Sequence, residues 1–130
     1  MWNPPIALTP EEQKMVARTR QARQFFVFLR ERRHELLDTA LQDTLAQAYK
    51  PEPGGKEPVE AGVLALATLL QAYGNVSDRD AVELTVMDKR WQMVLDGLDA
   101  EPPAFSQGTL FNFRLRLIQH NLDKTWRERT

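Results

Sequence analysis

Arginine is the residue type in this sequence best placed to do chemistry. Lys14, Arg18, Arg20, Arg23, Arg30, Arg32 and Arg33 put seven cations within residues 13–34, against Glu31 alone. Such a run can neutralise phosphates, the main source of sequence-independent affinity for nucleic acid. The plainer alternative is a solvated helix face, with Arg32 paired to Glu35 or Asp38 nearby. A second basic set, Arg114, Arg116, Lys124, Arg127 and Arg129, lies near the C-terminus. Its two central arginines alternate with apolar residues in Phe113-Arg114-Leu115-Arg116-Leu117.

The two can be told apart by helical phase. With Leu110 at zero and about 100° per residue, Phe113, Leu117 and Ile118 fall at roughly 300°, 340° and 80°. Arg114, at roughly 40°, falls inside that apolar arc. It is expected to be partly buried and paired with Asp78 or Asp80. Asn112, Arg116, Gln119 and His120 share the polar arc, so Asn112 and Arg116 are the better candidates for DNA contact.

Other groups point to less. Asp78, Asp80 and Glu83 occupy one turn and could suggest a carboxylate metal site. They also sit where a helix dipole favours acids, and that reading is preferred. Ser106-Gln107-Gly108-Thr109 could hold a phosphate on free N–H groups, but an N-cap serine accounts for it. Trp91 has core spacing. His34 and His120 are expected at the surface, with no nucleophile beside either. There is no cysteine, so thiolate sites and disulfides are excluded. No catalytic residue and no cofactor are assigned.

The net charge of −1 conceals strong segregation. Residues 35–101 hold 13 acids and 5 bases, whereas residues 102–130 hold 5 bases and 2 acids. Two basic ends therefore flank an acidic middle, and a continuous footprint requires both to face one side of the domain. No targeting segment is visible, and the longest apolar run, residues 61–70, is about half of what a membrane span needs. A cytoplasmic protein without a membrane partner is expected.

The elements that must carry these residues are helices. Thr9, Pro10 and Glu12 spell a capping box with proline at the first helical position. Nothing obvious breaks a helix from Pro10 to Tyr49, which predicts one long helix or two with a kink. Within it, Phe25 to Leu29 is apolar all round and must be covered on several sides. Lys50 to Pro58, with three prolines and two glycines, predicts a linker. A central helix follows from about Pro58 to Tyr73, with Val59, Val63, Leu66, Leu70 and Tyr73 facing the core and Gly74 as cap. Ser77 caps a third helix, in one piece or two, carrying Leu84, Met87 and Trp91 towards Gly97; Ser106 caps a last one reaching about residue 128.

Residues 58–130 resemble the N-terminal domain of InsH-like insertion-sequence DDE transposases of bacteria. The pieces fall in order: Leu64 to Tyr73; Ser77-Asp78-Arg79-Asp80-Ala81; Arg90-Trp91 with Leu95 to Leu98; Phe105 to Leu110; and Phe113 to Leu117. Residues 1–57 match only as a helical, arginine-rich lead-in. The resemblance implies recognition of transposon-end DNA. It also implies that three metal-binding acids would lie in a later RNase H-like domain, absent from this chain.

The expectation is thus an all-α bundle of about five or six helices with a helix-turn-helix-like C-terminal half. Residues 1–57 form its arginine-rich segment and linker, and residues 58–130 its transposase-like domain. It should bind double-stranded DNA without catalysis, through Arg18, Arg20, Arg23, Arg30, Arg32, Arg33, Asn112, Arg116, Lys124 and Arg127. The rival reading is an interaction module in which Phe25 to Leu29 forms a homodimer seam. An enzyme in its own right finds no supporting motif.

Overall fold

A computed structural model describes residues 1–49 and 59–129, and the expected linker at 50–58 lies outside them. The described residues are all-helical, with eight helices rather than five or six and no strand. These are α1 (Pro10–Arg18), α2 (Arg23–Leu36), α3 (Thr39–Ala48), α4 (Ala61–Gly74), α5 (Asp78–Met87), α6 (Lys89–Val94), α7 (Gln107–Gln119) and α8 (Asp123–Glu128).

The extra helices come from breaks that use neither proline nor glycine. The span 10–49 divides into three, not one or two. Thr19 ends α1 and Ala22 turns the chain in the left-handed region, with φ 53°. At the second break, the Asp38 carboxylate accepts from the Leu41 N–H at 2.8 Å and caps α3. The C-terminal helix breaks likewise at Asn121, with φ 57°. After α4 it is Asn75, with φ 52°, that takes the left-handed C-cap position, while Gly74 stays helical. The expected caps at Thr9, Ser77 and Ser106 are all present, and Thr9 and Glu12 complete the capping box.

Helix α4 lies at the centre. Leu64, Ala65, Leu66 and Ala67 are completely buried, so α4 is covered all round rather than along one stripe. One hydrophobic cluster joins Phe26, Leu29, Leu41 and Leu45 of the N-terminal helices to Leu64, Leu70, Phe113 and Trp126. The Trp126 indole N–H donates to the Ala65 carbonyl at 2.9 Å, pinning α8 onto α4. Trp91 is buried as its spacing implied. Three apolar expectations fail: Met87 is 71% exposed, Ile118 58% and Tyr73 57%, although the Tyr73 ring stacks on Phe25 with centroids 3.8 Å apart.

The N-terminal segment before α1 is bound into this core. The Gln42 side-chain amide both accepts from the Trp2 N–H (3.0 Å) and donates to the Trp2 carbonyl (2.9 Å). The Trp2 ring rests against Gly62 of α4, so closely that a Cβ there would stand 2.7 Å from ring atom Cε3.

Candidate nucleic-acid interface

The arginine run divides by helical phase. On α2, Phe26, Leu29, Arg30 and Arg33 fall at i, i+3, i+4 and i+7, so the two arginines share the buried face with the two apolar residues. Arg30 is wholly buried. Its guanidinium donates to both Glu12 carboxylate oxygens, at 2.6 and 2.9 Å, and to the carbonyls of Ile6 (3.0 Å) and Ala7 (2.8 Å). Burial alone would push the Glu12 carboxyl up, but hydrogen bonds from Arg30 and Thr9 outweigh it and hold the group below its ordinary value.

Arg33 has no carboxylate in contact among the described residues. It donates to the carbonyls of Met93 (3.1 Å) and Val94 (2.8 Å) at the end of α6, and to that of Pro5 (3.0 Å). Its guanidinium also lies 5.5 Å from the centre of the Trp2 ring. Burial, then the charge of Arg30, pushes its pKa down to about 10, so it stays charged at neutral pH. Arg30 and Arg33 are therefore withdrawn as DNA contacts: neither reaches solvent, Arg30 is committed to Glu12 and two backbone carbonyls, and the Arg33 guanidinium nitrogens Nη1 and Nη2 to three carbonyls.

The other cations stay outside. Lys14 within α1, Arg18 at its end and Arg20 in the turn to α2 are exposed and take no hydrogen-bond or ion-pair partner among the described residues. Arg23, also exposed, donates back to the carbonyls of Val16 and, at 3.3 Å, Thr19. Arg32 pairs with exposed Glu35 at 3.1 Å. On α8, Lys124 pairs with Glu128 (3.9 Å) and Arg127 with Asp123 (3.5 Å). Exposed pairs of this kind hold little energy and can be exchanged for a phosphate.

The two arginines of α7 behave as their phases require. Arg114 is half-buried and forms a bidentate pair with Asp78, one of the two acids expected; the second of its bonds measures 3.1 Å. The Gln71 amide donates to the same carboxylate at 2.9 Å. Hydrogen bonding to Arg114 holds the Asp78 carboxyl below the ordinary aspartate value, against the opposing effect of burial. Arg116 and Asn112 are exposed and unpartnered among the described residues. The Ser106 hydroxyl accepts from the Thr109 N–H at 3.1 Å, which is a cap. No group of three or more metal-ligating side chains comes together among the described residues.

Sequence reasoning missed two features. Arg90 pairs with Asp88 at 2.7 Å and lies over the Phe26 ring at 4.6 Å. Arg129 donates to Asp38 at 3.0 Å and to the Leu36 carbonyl at 3.2 Å, tying α8 to the α2–α3 corner. The apolar turn Phe25 to Leu29, by contrast, was expected. Phe26 and Leu29 are buried within the chain, Phe25 and Val27 are half-buried and Phe28 is exposed, so the turn is covered on several sides as its composition requires. The absence of acids from α7 could have been read directly from the sequence.

The fold and this surface define a small helical domain that exposes, among the described residues, unpartnered cations on α1 and its turn into α2 and unpartnered amides and an arginine on α7. A family model described as Transposase domain (DUF772) matches residues 11–116. The chain belongs to this family of transposase domains. No curated protein and no solved structure matches it. The matched span takes in α1 to α3, which had resembled the family only in helicity and arginine content. No described helix is long and apolar enough to cross a membrane.

Proposed function

We propose that this chain is the non-catalytic DNA-binding domain of a cytoplasmic transposase, recognising transposon ends during DNA transposition. Divalent metal would act only in a separate DDE domain. The observation that carries the reading is the cation set of α1 and its turn into α2: Lys14, Arg18 and Arg20 are exposed, with no acid engaged to them among the described residues. Side chains so placed release counterions when they meet phosphate. Membership of a transposase family supplies the biological setting.

The test is DNA binding by fluorescence anisotropy at several salt concentrations, using a generic labelled duplex. Steep salt dependence is expected, and the triple substitution Lys14→Ala/Arg18→Ala/Arg20→Ala should reduce its log–log slope by roughly three. Binding that is absent, or indifferent to salt, overturns the reading.

A further inference from the structure

Helix α7 has a second face that the fold leaves uncovered. Its inner side is Leu110, Phe113 and Leu117, all buried, with Arg114 at the edge in its pair with Asp78. The outer side presents two adjacent lanes. One is apolar: Phe111 is 51% exposed, Leu115 40% and Ile118 58%. The other is polar, with Asn112, Arg116 and Gln119 exposed and unpartnered among the described residues. The helix holds no acid. The neighbouring α5 differs, exposing Asp80 and Glu83. At Gly108, where the outer face begins, an added Cβ would meet nothing within 4 Å.

We infer that the outer face of α7 reads base edges in the major groove of duplex DNA. The inference rests on the proposal that the domain binds duplex DNA, and it names the surface that supplies selectivity. The cations of α1 and its turn into α2 contribute affinity without sequence preference.

The chemistry of the two lanes fits that groove. Asparagine and glutamine pair with adenine edges, arginine pairs with guanine, and apolar side chains cover thymine methyl groups. A helix about 10–12 Å across fits a groove about 12 Å wide. From Gly108 to Gln119 the helix rises about 16 Å, the span of roughly five base pairs. Charge also favours DNA, since an acid-free helix meets phosphate-flanked bases without repulsion. A second copy of the chain is the competing occupant. Packed α7 against α7, it would bring two Arg116 side chains to a seam whose helices hold no acid to pair with them.

The test is selection by the 130-residue chain from a randomised 20-base-pair duplex pool, followed by binding to the enriched duplex and a scrambled one. Asn112→Ala and Gln119→Ala change no charge, so the salt slope and scrambled-duplex affinity should stay constant. Preference for the enriched duplex should fall roughly 5- to 100-fold per substitution that removes a bidentate base contact. Arg18→Ala/Arg20→Ala should weaken both duplexes alike. Circular dichroism confirms that each variant folds. If the pool enriches no sequence although binding is salt-dependent, the inference falls and the DNA-binding reading stands. The inference falls equally if the α7 variants keep wild-type preference or weaken both duplexes to the same extent. No binding at all overturns both. A wild-type dimer that Leu115→Asp dissociates, with selectivity unchanged, assigns the face to a second copy and overturns the inference.

Discussion

Arg30 of α2 clamps Glu12 of α1 with its Nε 2.6 Å from one carboxylate oxygen and Nη2 2.9 Å from the other. The same carboxylate accepts from the Thr9 N–H at 3.0 Å, so the capping box that starts α1 also anchors it to α2. Truncating either partner strands a buried charge. Arg30→Ala should therefore destabilise the domain by about 3–5 kcal/mol, as urea unfolding would show. A loss below about 1 kcal/mol would mean that water enters and replaces Glu12.

A pH dependence follows from the same pair. The folded state holds Glu12, Asp78 and Asp88 below their ordinary values, so it binds protons less readily than the unfolded chain. Stability from these groups is complete above the ordinary carboxylate range and drains away as pH falls through it to the lower folded values. Thermal unfolding between pH 7 and pH 3 should show a falling Tm on the acid side. Glu12→Gln, already lacking the charge, should start lower and fall less steeply. A parallel curve would remove Glu12 from the account.

Much of this was legible because local chemistry is short-range. Thr9, Ser77 and Ser106 cap as their types and positions imply, and the helical phase separated Arg114 from Arg116. The breaks at Ala22 and Asn121 were hidden because neither position carries glycine or proline, although both take a positive φ. The burial of Arg30 and Arg33 was hidden for another reason. A charge run suggests a surface, whereas their phase with Phe26 and Leu29 put them inside, and their partners Ile6, Ala7 and Met93 are backbone carbonyls that no pattern marks. The outer face of α7 was half visible: Asn112 and Arg116 were placed on it, while Ile118 was assigned to the core.

Gly62 offers a test in which two effects oppose. Alanine is favoured over glycine inside a helix by about 1 kcal/mol. Here the new methyl would come within 2.7 Å of the Trp2 ring, a rigid group held by both Trp2 backbone bonds to Gln42. Gly62→Ala should thus lower the Tm. It should also expose the first residues to proteolysis, with the loosening confined to the chain before Pro5, because Arg30 and Arg33 still hold the carbonyls of Pro5, Ile6 and Ala7. A higher Tm would show that Trp2 yields at little cost.

The basic residues should not contribute equally to DNA binding. Arg18 and Arg20 are unpartnered among the described residues, whereas Lys124 and Arg127 must exchange Glu128 and Asp123 for phosphate. Arg18→Ala/Arg20→Ala should reduce the salt slope by about two, and Lys124→Ala/Arg127→Ala by less. Hydroxyl-radical footprinting adds the geometry: one protected stretch that shortens with either pair would put both surfaces on one side of the domain. Two separate stretches would reassign one cluster.

Arg114 and Arg116, two residues apart on α7, should fail in opposite ways. The Arg114 side chain is 36% exposed and its partner Asp78 only 15%, so solvent screens part of the pair. Arg114→Ala should cost about 1–3 kcal/mol, less than a fully buried pair would, because Asp78 keeps its bond from Gln71 and some access to water. Arg116 touches no described residue through a side-chain hydrogen bond or ion pair, so Arg116→Ala should leave stability within about 0.5 kcal/mol. Its effect belongs to DNA: weaker binding, with a salt slope reduced by about one if it meets phosphate. If it meets guanine instead, preference for the enriched duplex should also fall. Thermal unfolding of both variants beside DNA titrations at several salt concentrations separates the roles. Should Arg116→Ala unfold the domain while Arg114→Ala loses only DNA, the register of α7 against α4 and α5 is wrong. The base-reading face would then have to be sought on the opposite side of the helix.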